Sequence, residues 1–284
     1  MKPNFLLSLS CPDRVGVVAA VTGFLARRDA NVLEAHHFRD PPANRSVLRI
    51  VFEPPGDSLD ERLFATEFAR EVAPLDVSWG LRDLARRIRV VVAVSRQGHC
   101  LNSLLHRWSV GTLPVDIVAV VSNHEDQRRL VEWHGLPFYH LPIGPDGKEK
   151  QERRILDLYR GLGGELLVLA RYMQILTPAA CRELRGRAIN IHHSFLPGFK
   201  GARPYHQAYE RGVKLIGATA HYVDENLDEG PIIEQAVERV DHTLTPEQLT
   251  TIGNEIEAVV LNRAVQWHAE GRIFEFGSRA VVLR

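Results

Sequence analysis

The chain of 284 residues is long enough for two domains, and its apolar (45%) and charged (25%) fractions are ordinary for a globular protein. Lysine plus arginine and aspartate plus glutamate number 35 each, so the formal net charge is zero. The sequence therefore lacks the broad basic field that nucleic-acid binding needs, and we expect no nucleic acid as a partner.

Membrane and secretory features are also missing from the sequence. It contains no run of about 18 apolar residues that would span a bilayer, and its N-terminus lacks the pattern of a signal peptide. The three cysteines are far apart and form no CxxC motif, which disfavours a disulfide framework or a structural zinc site. We expect buried free thiols, a cytoplasmic location and no membrane partner.

The first eighty residues have the pattern β-α-β-β-α-β. The predicted strands cover residues 5–9, 31–38, 46–52 and 75–79. One helix is expected over residues 15–26. A second helix is expected to begin at a capping box formed by Ser58 and Glu61, with one apolar face: Leu59, Leu63, Phe64, Phe68 and Val72. This is the ferredoxin-like order. We expect a first domain over residues 1–83, and the basic stretch 81–89 is a predicted linker.

The remainder, residues 84–284, alternates strands with helices, which is typical of an α/β domain with a parallel, Rossmann-like sheet. The predicted strands cover residues 88–94, 115–121, 138–141, 166–170 and 188–191. The predicted helices cover residues 101–108, 125–133 and 149–162, a helix capped by Thr177, and a long helix from Thr245 to Gly271. In such sheets ligands bind at the carboxyl ends of the strands.

A polar pair interrupts the last of these strands. Residues two apart in a strand share a face, so Asn190 and His192 point together and His193 points away. A carboxamide and an imidazole that donate to the same oxygen form a potential oxyanion site. Residues 194–201 are a predicted loop.

A second segment, residues 217–230, begins like a strand that contains His221 and ends in acidic residues. Asp228 precedes a predicted turn. A carboxylate beside His192 would favour the imidazolium, fix its orientation, or position a water molecule. Each residue also has an ordinary structural explanation, and we expect His206 and His221 to shape the site without performing chemistry.

Taken in order, these residues form a recognisable pattern. N-I-H-x-S-F-L-P-x-F-x-G, then H-Y-V and L-D-E-G, resembles the signature of the folate-dependent formyltransferase family, over residues 87 to the C-terminus. The resemblance implies that Asn190, His192 and Asp228 act on the formyl group. The LARYMQIL stretch resembles the pterin-pocket wall, which implies further contacts with the folate: Met173, Gln174, Ile175, Leu176, His221, Val223, Glu225 and Leu227. The loop 223–227 is expected to hydrogen-bond the pterin through its backbone.

Two departures from the transformylase pattern bear on the formyl acceptor. The turn SRQGHCLNSLL contains a single glycine, Gly98, whereas glycinamide ribonucleotide transformylases carry a glycine-rich phosphate loop there. The N-terminal segment resembles an ACT domain, a ferredoxin-like module that often binds amino acids and pairs with copies of itself. This combination, together with HHSFLPGFKGARPYHQAYERGVKLIGATAHYV and its His193, resembles the formyltetrahydrofolate deformylases.

The resemblance implies hydrolysis of 10-formyltetrahydrofolate to formate and tetrahydrofolate, with no prosthetic group and no metal. Asn190 and protonated His192 would donate to the formyl oxygen, and Asp228 would orient His192 and position or deprotonate the water. The product formate would supply purine biosynthesis and balance the one-carbon folate pool. Two alternatives remain: a formyltransferase with an amine acceptor, and a non-catalytic sensor, which the intact set of three residues disfavours.

For the N-terminal half we expect Asp13, Gly16 and Asn31 to lie near an effector site or a dimer interface. An equally weighted alternative is that this turn only begins a helix. Glycine and methionine are the expected effectors, and self-pairing of the ACT-like domain predicts a homo-oligomer.

Overall fold

The computed structural model describes residues 3–144, 147–198 and 204–284. It divides into two compact units. The first comprises Met1–Arg87, Gly271–Phe276 and Val281–Arg284, and the second comprises Ile88–Glu270 and Gly277–Ala280. None of the helices in the described ranges has the length and apolar character of a membrane span.

The first unit contains a four-stranded antiparallel sheet in the order β2-β3-β1-β4. Its elements are β1 (Phe5–Pro12), α1 (Val17–Ala26), β2 (Asn31–Asp40), β3 (Arg45–Glu53), α2 (Glu61–Val72) and β4 (Ser78–Asp83). The predicted βαββαβ order is therefore confirmed. The core is aromatic: the ring of Phe68 meets those of Phe24 and Trp79 edge to face, with centroids 5.0 and 4.9 Å away.

The N-cap of helix α2 lies two residues later than predicted. The N-cap is Asp60, whose carboxylate accepts a hydrogen bond from the N–H of Leu63 at 2.9 Å, so the Ser58 capping box is wrong. A carboxylate at this position also complements the helix dipole. Leu63 is 55% exposed and does not join the apolar face. Phe64, Phe68 and Val72 are spaced by four residues and form one stripe, from which Leu63 is rotated by about 100°.

The fourth strand is also shifted along the chain. Ala73–Leu75 forms a 3-10 turn, so β4 starts at Ser78 rather than at residue 75. It then continues to Asp83, within the predicted linker. Since the next strand starts at Ile88, only residues 84–87 connect the two sheets.

The second unit contains a seven-stranded sheet in the order β11-β10-β9-β8-β5-β6-β7. Its elements are β5 (Ile88–Val94), α3 (His99–Ser109), β6 (Val115–Ser122), α4 (Arg128–Trp133), β7 (Phe138–His140), α5 (Lys148–Gly161), β8 (Leu166–Leu169), α6 (Pro178–Glu183), β9 (Ala188–His192), α7 (Pro204–Glu210), β10 (Leu215–Tyr222), β11 (Ile232–Arg239) and α8 (Pro246–Ala269). Strands β5 to β9 are parallel, as predicted, and their interior is a run of buried aliphatic residues.

The strand expected at the start of residues 217–230 is β10, but the antiparallel side of the sheet and several other elements were not predicted. Strand β10 runs antiparallel to β9, and β11 runs antiparallel to β10, so the sheet is mixed at one side. Helix α7, strand β11 and two short C-terminal strands, β12 (Ile273–Phe276) and β13 (Arg279–Val282), were also missed. The predicted start of the long helix at Thr245 is confirmed: Thr245 and Gln248 form a capping box in which they exchange side-chain and backbone hydrogen bonds.

Strand register brings the predicted polar residues together at one edge of this sheet. Leu169 of β8 pairs with Asn190 of β9. On the other side of β9, His221 of β10 lies opposite Asn190, and Thr219 lies opposite His192. Side chains directly opposite each other on one face of an antiparallel pair are in contact range. The catalytic candidates therefore gather where β8 and β9 end.

Candidate active site

A pocket of about 590 Å³ opens at this edge of the sheet. Its volume is within the range of roughly 300–1,000 Å³ that is usual for small-molecule sites. Every residue predicted for catalysis or for folate binding lines it: Asn190, His192, Asp228, Met173, Gln174, Ile175, Leu176, His221, Val223, Glu225 and Leu227. The structure thus brings the predicted catalytic residues and the predicted folate-contacting residues around one pocket.

His192 is held by the predicted carboxylate. Its Nδ1 lies 3.2 Å from Oδ2 of Asp228, and its side chain is only 6% exposed. Because a carboxylate accepts hydrogen bonds, Nδ1 carries a proton that it donates to Asp228. The opposite nitrogen, Nε2, is buried and has no hydrogen-bond partner among the residues that the structure describes. A buried polar atom of this kind needs a partner, and in a pocket the natural partner is a ligand.

Asn190 is oriented by His221. Nδ1 of His221 lies 2.8 Å from the carbonyl oxygen of Tyr222, to which it donates. In the neutral imidazole this leaves Nε2 as an acceptor, and Nδ2 of Asn190 donates to it at 3.2 Å. Nε2 of His221 is also 3.7 Å from Oδ1 of Asp228. His221 therefore holds the Asn190 amide, and its role in shaping the site stays a prediction.

The electrostatics of Asp228 favour its ionised form. Burial opposes the charge, but the hydrogen bond that His192 donates outweighs this and holds the pKa of the Asp228 carboxyl below its usual range. The residue has φ of 59°, a left-handed conformation that is unusual outside glycine. Asp228 lies in a turn after which the chain passes very close to the end of β10. A Cβ on Gly230 would lie 1.8 Å from the carbonyl oxygen of Tyr222.

His193 is closer to the site than the strand pattern predicted. Its ring stacks on that of His192, with centroids 5.1 Å apart and planes inclined by 23°, and it lines the pocket. Strand β9 ends at His192, so the alternation that would turn His193 away does not extend to it. The prediction that His193 faces away from the site was wrong.

The chain that leaves β9 is tied to the neighbouring strands through Thr219. Its hydroxyl donates to the carbonyl oxygen of Ser194 at 2.9 Å and accepts from the N–H of Leu196 at 3.0 Å. The Gln235 amide on β11 donates to the same hydroxyl at 2.9 Å. These bonds anchor residues 194–196 beside the catalytic pair. Of the predicted loop 194–201, residues 199–201 lie outside the described part of the chain.

The predicted pterin side of the pocket is apolar and open. Met173, Ile175 and Leu227 are 56%, 57% and 56% exposed, which is high for large apolar side chains and is typical of a surface that receives a ligand. In the loop after β10, the N–H of Val223 already donates to the carbonyl of Ala188 at 2.9 Å. The N–H of Glu225 donates to the Asp224 carboxylate. A ligand would therefore meet carbonyl oxygens at these two residues or displace the Asp224 contact.

A buried ionic network, which includes the pocket residues Gln97, Arg171 and Tyr205, was not predicted from the sequence. Arg171 donates through Nε to Oε1 of Gln97 at 2.9 Å and lies 3.4 Å from Oε2 of Glu257. Glu257 is fully buried; it also accepts from the Tyr205 hydroxyl at 2.7 Å and contacts Nε2 of His99 at 2.8 Å. One signal was available in the sequence, because Glu257 interrupts the apolar face of α8.

The network also explains a cluster of residues of the metal-binding type. The atoms of His99, Cys100 and Glu257 that could bind a metal lie within 4.8 Å of one another. In the part of the chain that the structure describes, no other group of this kind is found. Burial raises the pKa of the Cys100 thiol well above its usual range, so it is protonated. Burial opposes ionisation of Glu257, but His99, Arg171 and Tyr205 hold its pKa below the usual range. Since a guanidinium already balances this carboxylate, a cation would be repelled.

The three cysteines are free and buried, as expected. Cys181 lines the pocket, where burial and then the charges of Glu152 and Asp224 raise the pKa of its thiol to about 11. It is therefore a thiol at neutral pH and a poor nucleophile.

The predicted effector residues lie in the first unit. Asp13 is part of the β1–α1 turn, and its carboxylate pairs with Arg39 and accepts from Ser46. Gly16 is the N-cap of α1, with φ of 94° and open space where a Cβ would be. Asn31 begins β2 and is exposed. Both the effector interpretation and the helix-start alternative remain predictions.

Comparison with known proteins covers both units. The formyl transferase family model matches residues 88–265, and the ACT domain model matches residues 5–64. A formyltetrahydrofolate deformylase from Corynebacterium sp. (strain P-1) is 50% identical over 98% of both chains. The crystal structure of the formyltetrahydrofolate deformylase from Burkholderia mallei ATCC 23344 has a TM-score of 0.94 and 50% identity, and the match covers 99% of this chain and 100% of that one. A glycinamide ribonucleotide transformylase from Symbiobacterium toebii is 30% identical with a TM-score of 0.64, over 70% of this chain and 95% of its own.

Proposed function

The chain belongs to the formyltetrahydrofolate deformylase family, and from this premise we propose how its pocket hydrolyses 10-formyltetrahydrofolate. The reaction is 10-formyltetrahydrofolate plus water, giving formate and tetrahydrofolate, without a prosthetic group. The observation that carries the residue assignment is the buried Nε2 of His192, which has no partner among the described residues while Nδ1 is held by Asp228.

The two donors act on the formyl oxygen. Nδ2 of Asn190 and Nε2 of protonated His192 donate to this oxygen as water attacks the formyl carbon and the oxygen becomes negative. Both donors are oriented before the substrate arrives, Asn190 by His221 and His192 by Asp228. Because the formyl oxygen is negatively charged in the tetrahedral intermediate and neutral in the planar formamide, these fixed donors stabilise the intermediate more than the substrate.

Asp228 holds the imidazolium and the water. Since its pKa is below the usual range, the carboxylate is a weak base, and it orients His192 and accepts a hydrogen bond from the attacking water. As the new C–O bond forms, the water loses its proton to the Asp228 carboxylate, which returns it to the site after His192 has protonated N10. The C–N10 bond then breaks, N10 gains a proton, for which His192 is the nearest acid, and formate leaves.

The folate occupies the apolar side of the pocket. Residues Met173 to Leu176 and the loop from Val223 to Leu227 contact the pterin, and His221 lines the same pocket. The exposed apolar side chains Met173, Ile175 and Leu227 support this placement, because a flat aromatic ring would cover them.

The alternative of an amine acceptor uses the same oxyanion donors, and the transformylase match shows how closely the two reactions are related. Two features favour water. The turn after β5 has only one glycine, Gly98, and the match to the deformylase structure spans both units.

A labelling experiment tests this function directly. Purified full-length protein is incubated with 10-formyltetrahydrofolate in water enriched in oxygen-18, without any added amine. We expect formate and tetrahydrofolate in equal amounts, with one labelled oxygen in each formate. Consumption of the substrate only after an amine is added would refute hydrolysis in favour of transfer, and no turnover with either acceptor would favour a sensor.

We further propose that residues 1–83 form a regulatory and oligomerisation domain and that residues 84–284 form the catalytic domain. Glycine and methionine are the proposed effectors, at Asp13, Gly16 and Asn31. An exposed outer strand, β2, carries the half-exposed apolar residues Val32, Leu33 and Phe38, which supports self-association into a homo-oligomer. If neither amino acid changes turnover or the melting temperature, regulation by these two effectors is refuted.

The proposed setting is the cytoplasm, where formate supplies purine biosynthesis and hydrolysis balances the one-carbon folate pool. Three free, buried thiols support a reducing compartment.

A further inference from the structure

Arg171 combines three unusual properties. Its side chain is 9% exposed, it carries a full charge, and its backbone has φ of 63°, in the left-handed region that favours glycine. Such strain persists only where the surroundings hold it. The N–H of Ser95 donates to the carbonyl of Arg171 at 3.2 Å, and the Ser95 hydroxyl accepts from the N–H of Met173 at 3.0 Å. The backbone around Arg171 is thus fixed from the neighbouring strand end.

Strand register places Arg171 next to the catalytic pair. Leu169, the last residue of β8, pairs with Asn190 of β9, and Arg171 follows two residues after this pair. Adjacent strands are about 4.8 Å apart. Arg171 and His192 line the same pocket. Arg171 is therefore beside the place where the formyl carbon must lie if His192 donates to the formyl oxygen.

The guanidinium is held in place by groups from two other elements. Gln97, in the turn after β5, accepts from Nε and Nη2, and Glu257 of α8 lies 3.4 Å from Nε. Glu257 is itself tied to Tyr205 and His99. Nη1 is buried and has no partner in the described part of the chain. The side chain is thus held rigidly in the wall of the pocket, next to the turn after β5.

We infer that Arg171 determines the formyl acceptor by closing the side of the pocket from which an amine would approach. This inference rests on the proposed hydrolysis. In the proposed binding mode the folate occupies the apolar side formed by residues 173–176, so a second nucleophile reaches the formyl carbon along the part of the pocket that Arg171 and Gln97 line. Water is small enough to enter beside Arg171, whereas a primary amine with a carbon substituent is not.

Amine transfer needs no further catalytic group. The amine nitrogen bonds to the formyl carbon, the C–N10 bond breaks, and one proton passes from the amine to N10, giving a formamide and tetrahydrofolate. Asn190 and His192 stabilise the same oxyanion in both reactions. The volume on the acceptor side therefore decides between the two products.

The test measures how the formyl group partitions between water and methylamine in full-length wild type, Arg171→Gly and Arg171→Met. Glycine accepts the positive φ and removes the side chain, while methionine keeps most of the volume without the charge. Formate and N-methylformamide are quantified together, with the reaction without enzyme subtracted, and thermal melting checks folding. The exposed Arg263→Ala variant is the control for loss of a surface charge.

We expect the ratio of N-methylformamide to formate to rise about 10–100-fold in Arg171→Gly, the usual selectivity of a pocket that excludes a small group. Arg171→Met should remain close to wild type. An unchanged ratio in a folded Arg171→Gly variant that still releases formate overturns the inference but leaves hydrolysis intact. Equal rises in both variants also overturn it, because charge rather than volume would then control acceptance.

If Arg171→Gly does not fold, the wild-type enzyme still provides a test. Efficient transfer to methylamine by the wild type, in competition with water, contradicts a closed acceptor side. Strict hydrolysis of the substrate over a wide methylamine range supports it. Failure of the wild type to release formate at all would instead refute the proposed function.

Discussion

Asn190 and His221 face each other across strands β9 and β10, with Nδ2 of the amide 3.2 Å from Nε2 of the ring. Because the other ring nitrogen donates to the Tyr222 carbonyl, the amide of Asn190 is held as a donor. Asp228 lies near both histidines, 3.2 Å from His192 and 3.7 Å from His221. Two donors and one carboxylate are therefore arranged before a substrate binds, which is the condition for electrostatic catalysis.

Replacing Asn190 by alanine removes one donor to the formyl oxygen. We expect kcat for formate release to fall by about 10²–10³, with little change in KM, because the interaction develops only in the transition state. Steady-state kinetics of Asn190→Ala measure this. The exposed Asn102→Ala variant, on helix α3, is the matched control. Near-normal turnover of Asn190→Ala would remove this residue from the mechanism.

The catalytic strand could be predicted from the sequence because the prediction depends only on residues that are neighbours along the chain. An apolar strand that ends in two polar residues of the same face already predicts a site at Asn190 and His192. Asp228 required the family pattern, since a carboxylate in an acidic loop is ordinarily solvated. Its geometry depends on Gly230 and on the Tyr222 carbonyl, which no pattern reveals.

The elements that were missed depend on contacts between distant residues. Arg171 and Glu257 are brought together only when β8 and α8 pack in one unit, so neither looked functional alone. Likewise, Ser58 and Asp60 are both acceptable caps in sequence, and the extended backbone of Asp60 decides between them. Strand β11 exists because β10 offers it an antiparallel edge.

The depressed pKa of Asp228 predicts a pH-dependent stability. The unfolded carboxyl has a pKa of about 3.9, so as the pH falls below about 4 the unfolded state takes up a proton before the folded state does. The stabilisation by the carboxylate is therefore present above this range and is lost below it. We compare the free energy of unfolding of wild type with that of Asp228→Asn. We expect the difference, wild type minus variant, to decrease as the pH is lowered from about 6 to about 3.

Urea unfolding across this pH range measures the difference, with the exposed Asp126→Asn variant as the control for removal of one carboxylate. A pH-independent difference would mean that the carboxyl is not held ionised by its hydrogen bond with His192. At neutral pH the same Asp228→Asn variant should lose about 10²–10⁴-fold in kcat, because His192 is then no longer correctly oriented.

The buried carboxylate of Glu257 is a sensitive position for stability. Glu257→Gln leaves the Arg171 guanidinium buried without its counter-charge, and we expect a loss of about 3–5 kcal/mol in the free energy of unfolding. Glu255→Gln, two residues earlier on the exposed face of the same helix, should change it by less than about 0.5 kcal/mol. Chemical denaturation measures both. Similar effects of the two variants would show that the buried ionic network contributes no stability.

Gly230 connects the turn of Asp228 to the hydrogen bond that orients His221. A Cβ at this position would lie 1.8 Å from the Tyr222 carbonyl oxygen and 2.9 Å from its carbon, both in the backbone, so the clash cannot be relieved by a side-chain rotation. Since this carbonyl accepts from Nδ1 of His221, its displacement disturbs Asn190 as well as the Asp228 turn. Gly230→Ala should therefore lower both stability, by about 1–3 kcal/mol, and kcat, by about tenfold or more.

A glycine in open space gives the matched control. Gly161, at the end of α5, has nothing within 4 Å of the position that a Cβ would occupy, and Gly161→Ala should leave kcat unchanged and stability equal or slightly higher. Thermal melting and steady-state kinetics of the two variants are compared side by side. If Gly230→Ala keeps wild-type kcat while losing stability, the turn supports the fold but does not set the positions of His221 and Asp228. A parallel loss of both properties ties the catalytic geometry to the close approach of the chain at this single residue.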